Sequence, residues 1–181
     1  MPTVFLSPSV QDFNPYIDGG NEEYYMNLIA DAMEPYLAAS GINYVRNNPN
    51  ESTKQAIVDS NKGNYDLHLA IHSNASPDNI RGQQTGTDIY YYPTSTQGRA
   101  FAEIIEKNFK TIYPNPNKVR ILSTTKLGEV RQTSAPSVLV EVAYHDNRQD
   151  AQWIRDNIGN IARVLAQSVA EYFGVPFVEP K

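Results

Sequence analysis

The sequence predicts an α/β domain, a mixed and largely parallel sheet sandwiched by helices. Three observations predict it. Short apolar runs such as 3–6 and 137–142 are bounded by turn residues, the pattern of strands buried on both faces. Between such runs lie segments with apolar residues at helical spacing, long enough to cross from one parallel strand to the next. The length, 181 residues, suits one domain around one core.

The elements follow in chain order. Thr3 to Leu6 is a strand that stops at Ser7-Pro8-Ser9. After a loop with Asn14-Pro15 and Gly19-Gly20, Asn21 caps a helix that begins at Glu22. Its apolar face is Met26, Ile29, Ala30, Met33 and Leu37; Pro35 is expected to strain the last turn, and Ser40-Gly41 to end it. Residues 42–46 read as a strand, 51–61 as a helix, 65–72 and 87–92 as strands, and 97–113 as a long amphipathic helix. A strand over 137–142 follows Pro136, and 150–172 is helical with a break expected near Gly159. Residues 1–176 are expected to form the domain, and 177–181 to begin a linker or tail.

Composition narrows the function. The formal charge is −5, from 15 Lys+Arg against 20 Asp+Glu, with no basic run for nucleic acid. No stretch approaches a membrane span, and the first residues show no signal-peptide pattern. With no cysteine there is no thiolate metal site and no cysteine nucleophile. A Gly-x-Ser-x-Gly elbow and glycine-rich phosphate loops are also missing.

In open α/β sheets sites form beyond the carboxyl ends of strands, which directs attention to 7–11, 72–76 and 141–147. His72 ends an apolar strand there and reads either as a metal ligand or as a histidine bonded to a loop. His68 is ~13 Å from it along a regular strand, too far to share one metal, and reads as structural. Glu23 shares its helix face with Met26 and Ala30 and needs a buried partner or the helix N-terminus; Glu22, turned about 100° away, is expected to reach solvent. Glu141 lies in the apolar run Ser137-Val-Leu-Val-Glu141-Val142. It reads as a general base beside a metal, or as half of a buried salt bridge with Arg131 or Arg46.

Three segments together carry a resemblance. They are Glu23-Tyr-Tyr-Met-Asn27-Leu-Ile-Ala30, Ala70-Ile71-His72-Ser73-Asn74-Ala75, and Pro136-Ser-Val-Leu-Val-Glu141-Val-Ala-Tyr-His-Asp-Asn147. In order and spacing they resemble the zinc-dependent N-acetylmuramoyl-L-alanine amidases of bacteria and their phages. The resemblance implies a mixed α/β fold with one catalytic Zn2+, Glu23 and His72 as ligands, and Glu141 as the catalytic carboxylate. It implies peptidoglycan as substrate, with Asn74 and His145 touching it, and action on the bacterial cell wall. A wall-binding domain beyond this chain is a further expectation. The chain departs from the family's Asp-Pro-Gly-His-Gly pattern: Ser7-Pro8-Ser9-Val10-Gln11 holds no histidine. The third ligand is then Gln11, slightly favoured by its place after the first strand, or His145, or water. Two other readings stand beside the amidase: a metal-free peptidoglycan-binding module on the same fold, and a zinc peptidase acting on the stem peptide.

Overall fold

The computed structural model describes all 181 residues, Met1–Lys181. Six strands form one sheet: β1 (Thr3–Pro8), β2 (Asn43–Arg46), β3 (Leu67–Asn74), β4 (Thr87–Tyr91), β5 (Val119–Ser123) and β6 (Ser137–Tyr144). Their order is β2-β1-β3-β6-β4-β5, with every neighbouring pair parallel except β4 against β6. The sheet is therefore mixed and largely parallel, as the sequence predicts. The reversal at β4 has a consequence for the site. The starts of β4 and β5 lie at the same sheet edge as the ends of β1, β3 and β6.

Helices α1 (Glu22–Ala39), α3 (Thr96–Phe109) and α6 (Ile158–Phe173) cover one face, and the large core lies between them and the sheet. Alternation along the strands sorts the residues. Leu67, Leu69 and Ile71 of β3 and Val138 and Val140 of β6 enter that core. The opposite face carries His68, Ala70, His72, Leu139 and Glu141, under α2 (Thr53–Lys62) and the short α4 (Gly128–Arg131). Only Ala70, Val130 and Leu139 make up its small apolar cluster. An extra residue in β6 shifts the register between His72↔Glu141 and Asn74↔Tyr144. This bulge sends both Val142 and Ala143 into the large core and returns Tyr144 to the side of Asp88, Arg120 and Glu141.

Helix α1 runs through Pro35 and ends at Ala39 before Ser40-Gly41, as the sequence predicts. The Pro35 ring is exposed and close to the C-terminus, so the carbonyl it leaves without an intrahelical donor can meet water. The last helical region breaks at Asn157, close to the expected Gly159, giving α5 (Arg148–Asp156) and α6. Neither β5 nor α4 was expected: one is a short edge strand, the other a single turn, and neither shows a period. Beyond α6, Phe177 stacks on Tyr36 at 5.7 Å and Val178 N–H donates to Ser40 Oγ at 3.0 Å. No helix is long and apolar enough to cross a membrane.

Candidate active site

The ends of β1, β3 and β6 and the start of α1 enclose a cavity of about 310 Å3. Gln11, Glu22, His72, Asn74, Glu129, Glu141 and His145 all line it. Its centre is His72, buried between two carboxylates. Glu22 Oε1 lies 3.0 Å from Nδ1, and Glu129 Oε2 lies 2.8 Å from Nε2. Carboxylates only accept, so both ring nitrogens carry protons in this arrangement. Burial opposes the charge, but the bonds to Glu129 and Glu22 outweigh it and hold the His72 pKa well above its ordinary value.

The glutamate at His72 is Glu22, not Glu23. Glu23 Oε1 instead accepts from Asn27 Nδ2 on its own helix, and Glu23 takes no part in lining the cavity. The buried stripe of α1 is Glu22, Met26, Ile29, Ala30, Met33 and Leu37. Glu22 stands four and eight residues before Met26 and Ala30, which continues the stripe better than the three and seven of Glu23. Asn21 caps the helix by accepting from Tyr24 N–H at 2.8 Å, which makes Glu22 the first helical residue, at the sheet edge. Burial raises the Glu22 pKa, but its bonds to His72 and Asn14 lower it further.

Glu129 was missed in the sequence, yet it is among the most connected side chains here. It is 2 % exposed. Besides His72, its carboxylate accepts from His68 Nε2 at 3.1 Å and from Ser7 Oγ. Ser60 Oγ lies 2.9 Å from the other nitrogen of His68. Burial alone would raise the Glu129 pKa; the two histidines hold it down to about 2. The structural reading of His68 acquires a definite partner in this way. The only cue in the sequence was that a histidine inside an apolar strand needs one.

Glu141 is half-buried beside this group, with Oε2 shielded from solvent, and does not pair with Arg131 or Arg46. Arg46 pairs instead with Asp31 and Glu34, both at 2.7 Å. Glu141 Oε2 has no hydrogen-bond partner. Burial pushes its pKa up to about 7; His72 pulls downward, while Glu22, Asp88 and Glu129 add to the rise. A carboxyl poised near neutrality beside an empty lone pair can exchange a proton with a reactant.

The remaining expected residues gather around this centre. Asn14 Nδ2 donates to Gln11 Oε1 at 2.6 Å and to Glu22 Oε2 at 2.7 Å, so Gln11 is linked to Glu22 through one side chain. His145 stacks on Tyr16, its Nδ1 lies 2.9 Å from Ser73 Oγ, and burial lowers its pKa. Asn74 donates nothing to the other site residues, but its carbonyl accepts from His145 N–H at 2.8 Å. The neighbouring Asp146 is a loop clamp: its Oδ2 accepts from Ser76 and Gly82 N–H at 3.0 and 2.8 Å.

As a metal site the donors fit in part. Glu22 and the Nδ1 of His72 converge, and Glu129 holds the other ring nitrogen, the arrangement that orients a metal-bound imidazole. A catalytic zinc takes three protein ligands. No three His, Cys, Asp or Glu side chains are placed to hold a metal ion together, so Glu22 and His72 lack a third ionisable ligand in this arrangement.

Known proteins share this architecture. The catalytic domain of CwlV, an N-acetylmuramoyl-L-alanine amidase from Bacillus (Paenibacillus) polymyxa var. colistinus, superposes with a TM-score of 0.82 at 22% identity, covering 97% of this chain and all of that one (100%). The amidase AmiC2 of Nostoc punctiforme also gives 0.82, at 20% identity over 96% of this chain and 97% of that one. In sequence, the chain is 28% identical over 180 residues to N-acetylmuramoyl-L-alanine amidase LytC of Bacillus subtilis (strain 168), covering 94% of this chain and 35% of that protein. It is 26% identical over 160 residues to an uncharacterized cell wall amidase of Bacillus anthracis, covering 75% and 29%. The chain thus spans less than half the length of its curated relatives. The profile of one family matches residues 11–171, nearly the whole domain. By that match the chain belongs to the N-acetylmuramoyl-L-alanine amidase family.

Proposed function

We propose that this domain is a zinc-dependent peptidoglycan hydrolase that cleaves the amide between N-acetylmuramic acid and the L-alanine of the stem peptide. The observation that carries the reading is the Glu22–His72 pair set beside a buried Glu141 oxygen with no partner. Glu22, His72 Nδ1 and the amide oxygen of Gln11 would hold the zinc, which would supply a Lewis acid for the amide carbonyl and lower the pKa of the attacking water. Gln11 is preferred to His145 as the third donor because it follows β1, where the resembled family carries its histidine, and Asn14 links it to Glu22.

The chain's own residues do the rest. Glu129 holds His72 so that Nδ1 faces Glu22. Glu141 takes the proton of the attacking water and returns it to the leaving amine of L-alanine. Asn74 and His145, adjacent on the cavity wall, contact the substrate.

One observation favours a second reading. The absence of a third ionisable donor suits a wall-binding module that has lost its metal. Mass spectrometry of digested peptidoglycan separates the readings. The amidase releases stem peptides with a free L-alanine N-terminus, stops on chelation and resumes with added zinc. Cuts inside the stem peptide would mark a peptidase, and wall binding without any product would mark the module.

A further inference from the structure

A second cavity, about 410 Å3, opens on the same sheet edge, where the reversed β4 and β5 begin. Its only charged lining residues are Lys118 and Arg120, both cations, in a chain whose formal charge is −5. Gln84, Thr85, Asn117 and Tyr144 complete much of the wall. Lys118 Nζ has no carboxylate partner and donates only to Thr85 Oγ1, at 2.6 Å. Arg120 places Nε and Nη2 on a single oxygen of buried Asp88, at 3.0 and 2.7 Å, and keeps Nη1 free. Asp88 pairs with Arg120; Lys118 makes no ion pair, although its charge reaches the buried Asp150 carboxyl.

The cavity lies on the same sheet edge as the candidate active site, although the two share no lining residue. Strand register sets His72, Glu141, Asp88 and Arg120 in one row across four strands. Tyr144, returned to this face by the bulge, stands between Glu141 and the cations. Two strand spacings separate Glu141 from Arg120, roughly 10 Å at ~4.8 Å each. An extended peptide covers that distance in about three residues. The glycan side of the substrate offers no free carboxylate near the cut, since the muramoyl carboxyl is itself the amide. The peptide side can.

We propose that the Lys118–Arg120 cavity is a subsite for a free carboxylate on the second or third residue of the stem peptide. The inference rests on the amidase reading of the Glu22–His72–Glu141 site. Lys118 supplies the unpaired charge, Arg120 Nη1 a directed donor, and Asn117 and Gln84 neutral contacts.

The test uses synthetic muropeptides that differ only in carboxylate or carboxamide at residues two and three. The wild-type protein should prefer the carboxylate by about tenfold in kcat/KM, mainly through KM, the size expected of one charge-assisted hydrogen bond. The preference should shrink with salt. Lys118→Gln should bring the ratio near one, Lys118→Glu should invert it, and Lys118→Arg should restore it. Calorimetric binding of the same compounds to Glu141→Gln reads the preference without turnover. If the wild type cleaves neither compound yet the binding preference stands, the amidase reading fails and the subsite survives. Equal handling of both compounds by the wild type, or an unchanged ratio in Lys118→Gln and Arg120→Gln, overturns the subsite.

Discussion

Glu129 Oε2 accepts a hydrogen bond from His72 Nε2 at 2.8 Å, on the far side of the ring from Glu22. The two contacts divide the imidazole between them. With the Nε2 proton fixed by Glu129, Nδ1 is the nitrogen that would release its proton to a metal, and it already faces Glu22. A site short of one strong ligand depends the more on having its imidazole held in this way.

The first expectation concerns that hold. Glu129→Gln should weaken zinc binding by about 10- to 100-fold, the usual effect of losing the outer partner of a ligating histidine. Glu129→Ala should in addition destabilise the fold by roughly 3–5 kcal/mol, because His68, His72 and Ser7 are left buried around a hole. Chelator competition and denaturant melts read the two effects separately. Wild-type zinc affinity in both variants would remove Glu129 from the site.

A second pair of variants separates adjacent glutamates. Glu22→Gln should lose metal retention through dialysis, while Glu23→Gln, altering a side chain bonded only to Asn27 on its own helix, should retain it and melt within about 0.5 kcal/mol of wild type. Elemental analysis after dialysis decides. Loss of metal from Glu23→Gln alone would restore the assignment suggested by the sequence pattern.

That misassignment shows what the sequence could and could not specify. The apolar runs of β1, β3 and β6 and the long helices were legible because their periods are long and clear. His72 and Glu141 were legible too, since ionisable groups at the ends of apolar strands stand out. The pattern favours Glu22 over Glu23 only narrowly, through the continuation of the whole buried stripe. At the first turn of a helix the two differ by 100°, and Met26 and Ala30 lie at neighbour spacing from either. Glu129 left still less trace. It sits in a four-residue turn, GEVR, too short for any period, and its importance comes from where the fold places β1, α2 and β3. The third metal donor stayed open for a related reason: a neutral amide such as Gln11 carries no charge to betray it.

The third expectation concerns pH in the metal-free protein. The folded Glu141 pKa, about 7, lies above its ordinary 4.5, so the fold holds a proton that the unfolded chain releases between those values. The associated stability is complete below 4.5 and lost as pH rises through about 7. Glu141→Gln stays neutral throughout. It should match wild type below pH 4.5 and become the more stable protein toward neutrality, by about 3 kcal/mol at most. Glu129 acts at the other end. With its pKa held at about 2, its contribution is complete above 4.5 and lost as pH falls toward 2. Urea melts of both proteins from pH 3 to pH 8 on the order of one unit apart suffice. A stability difference that does not vary with pH would contradict the raised pKa of Glu141.

The most direct test of the account is made on Glu141→Gln loaded with zinc, measuring metal content and the release of L-alanine-terminated stem peptides from peptidoglycan together. The account predicts a folded protein with wild-type zinc content and a rate at least ~100-fold lower, the low end for loss of a general base. Release at near the wild-type rate by the zinc-loaded variant would contradict it.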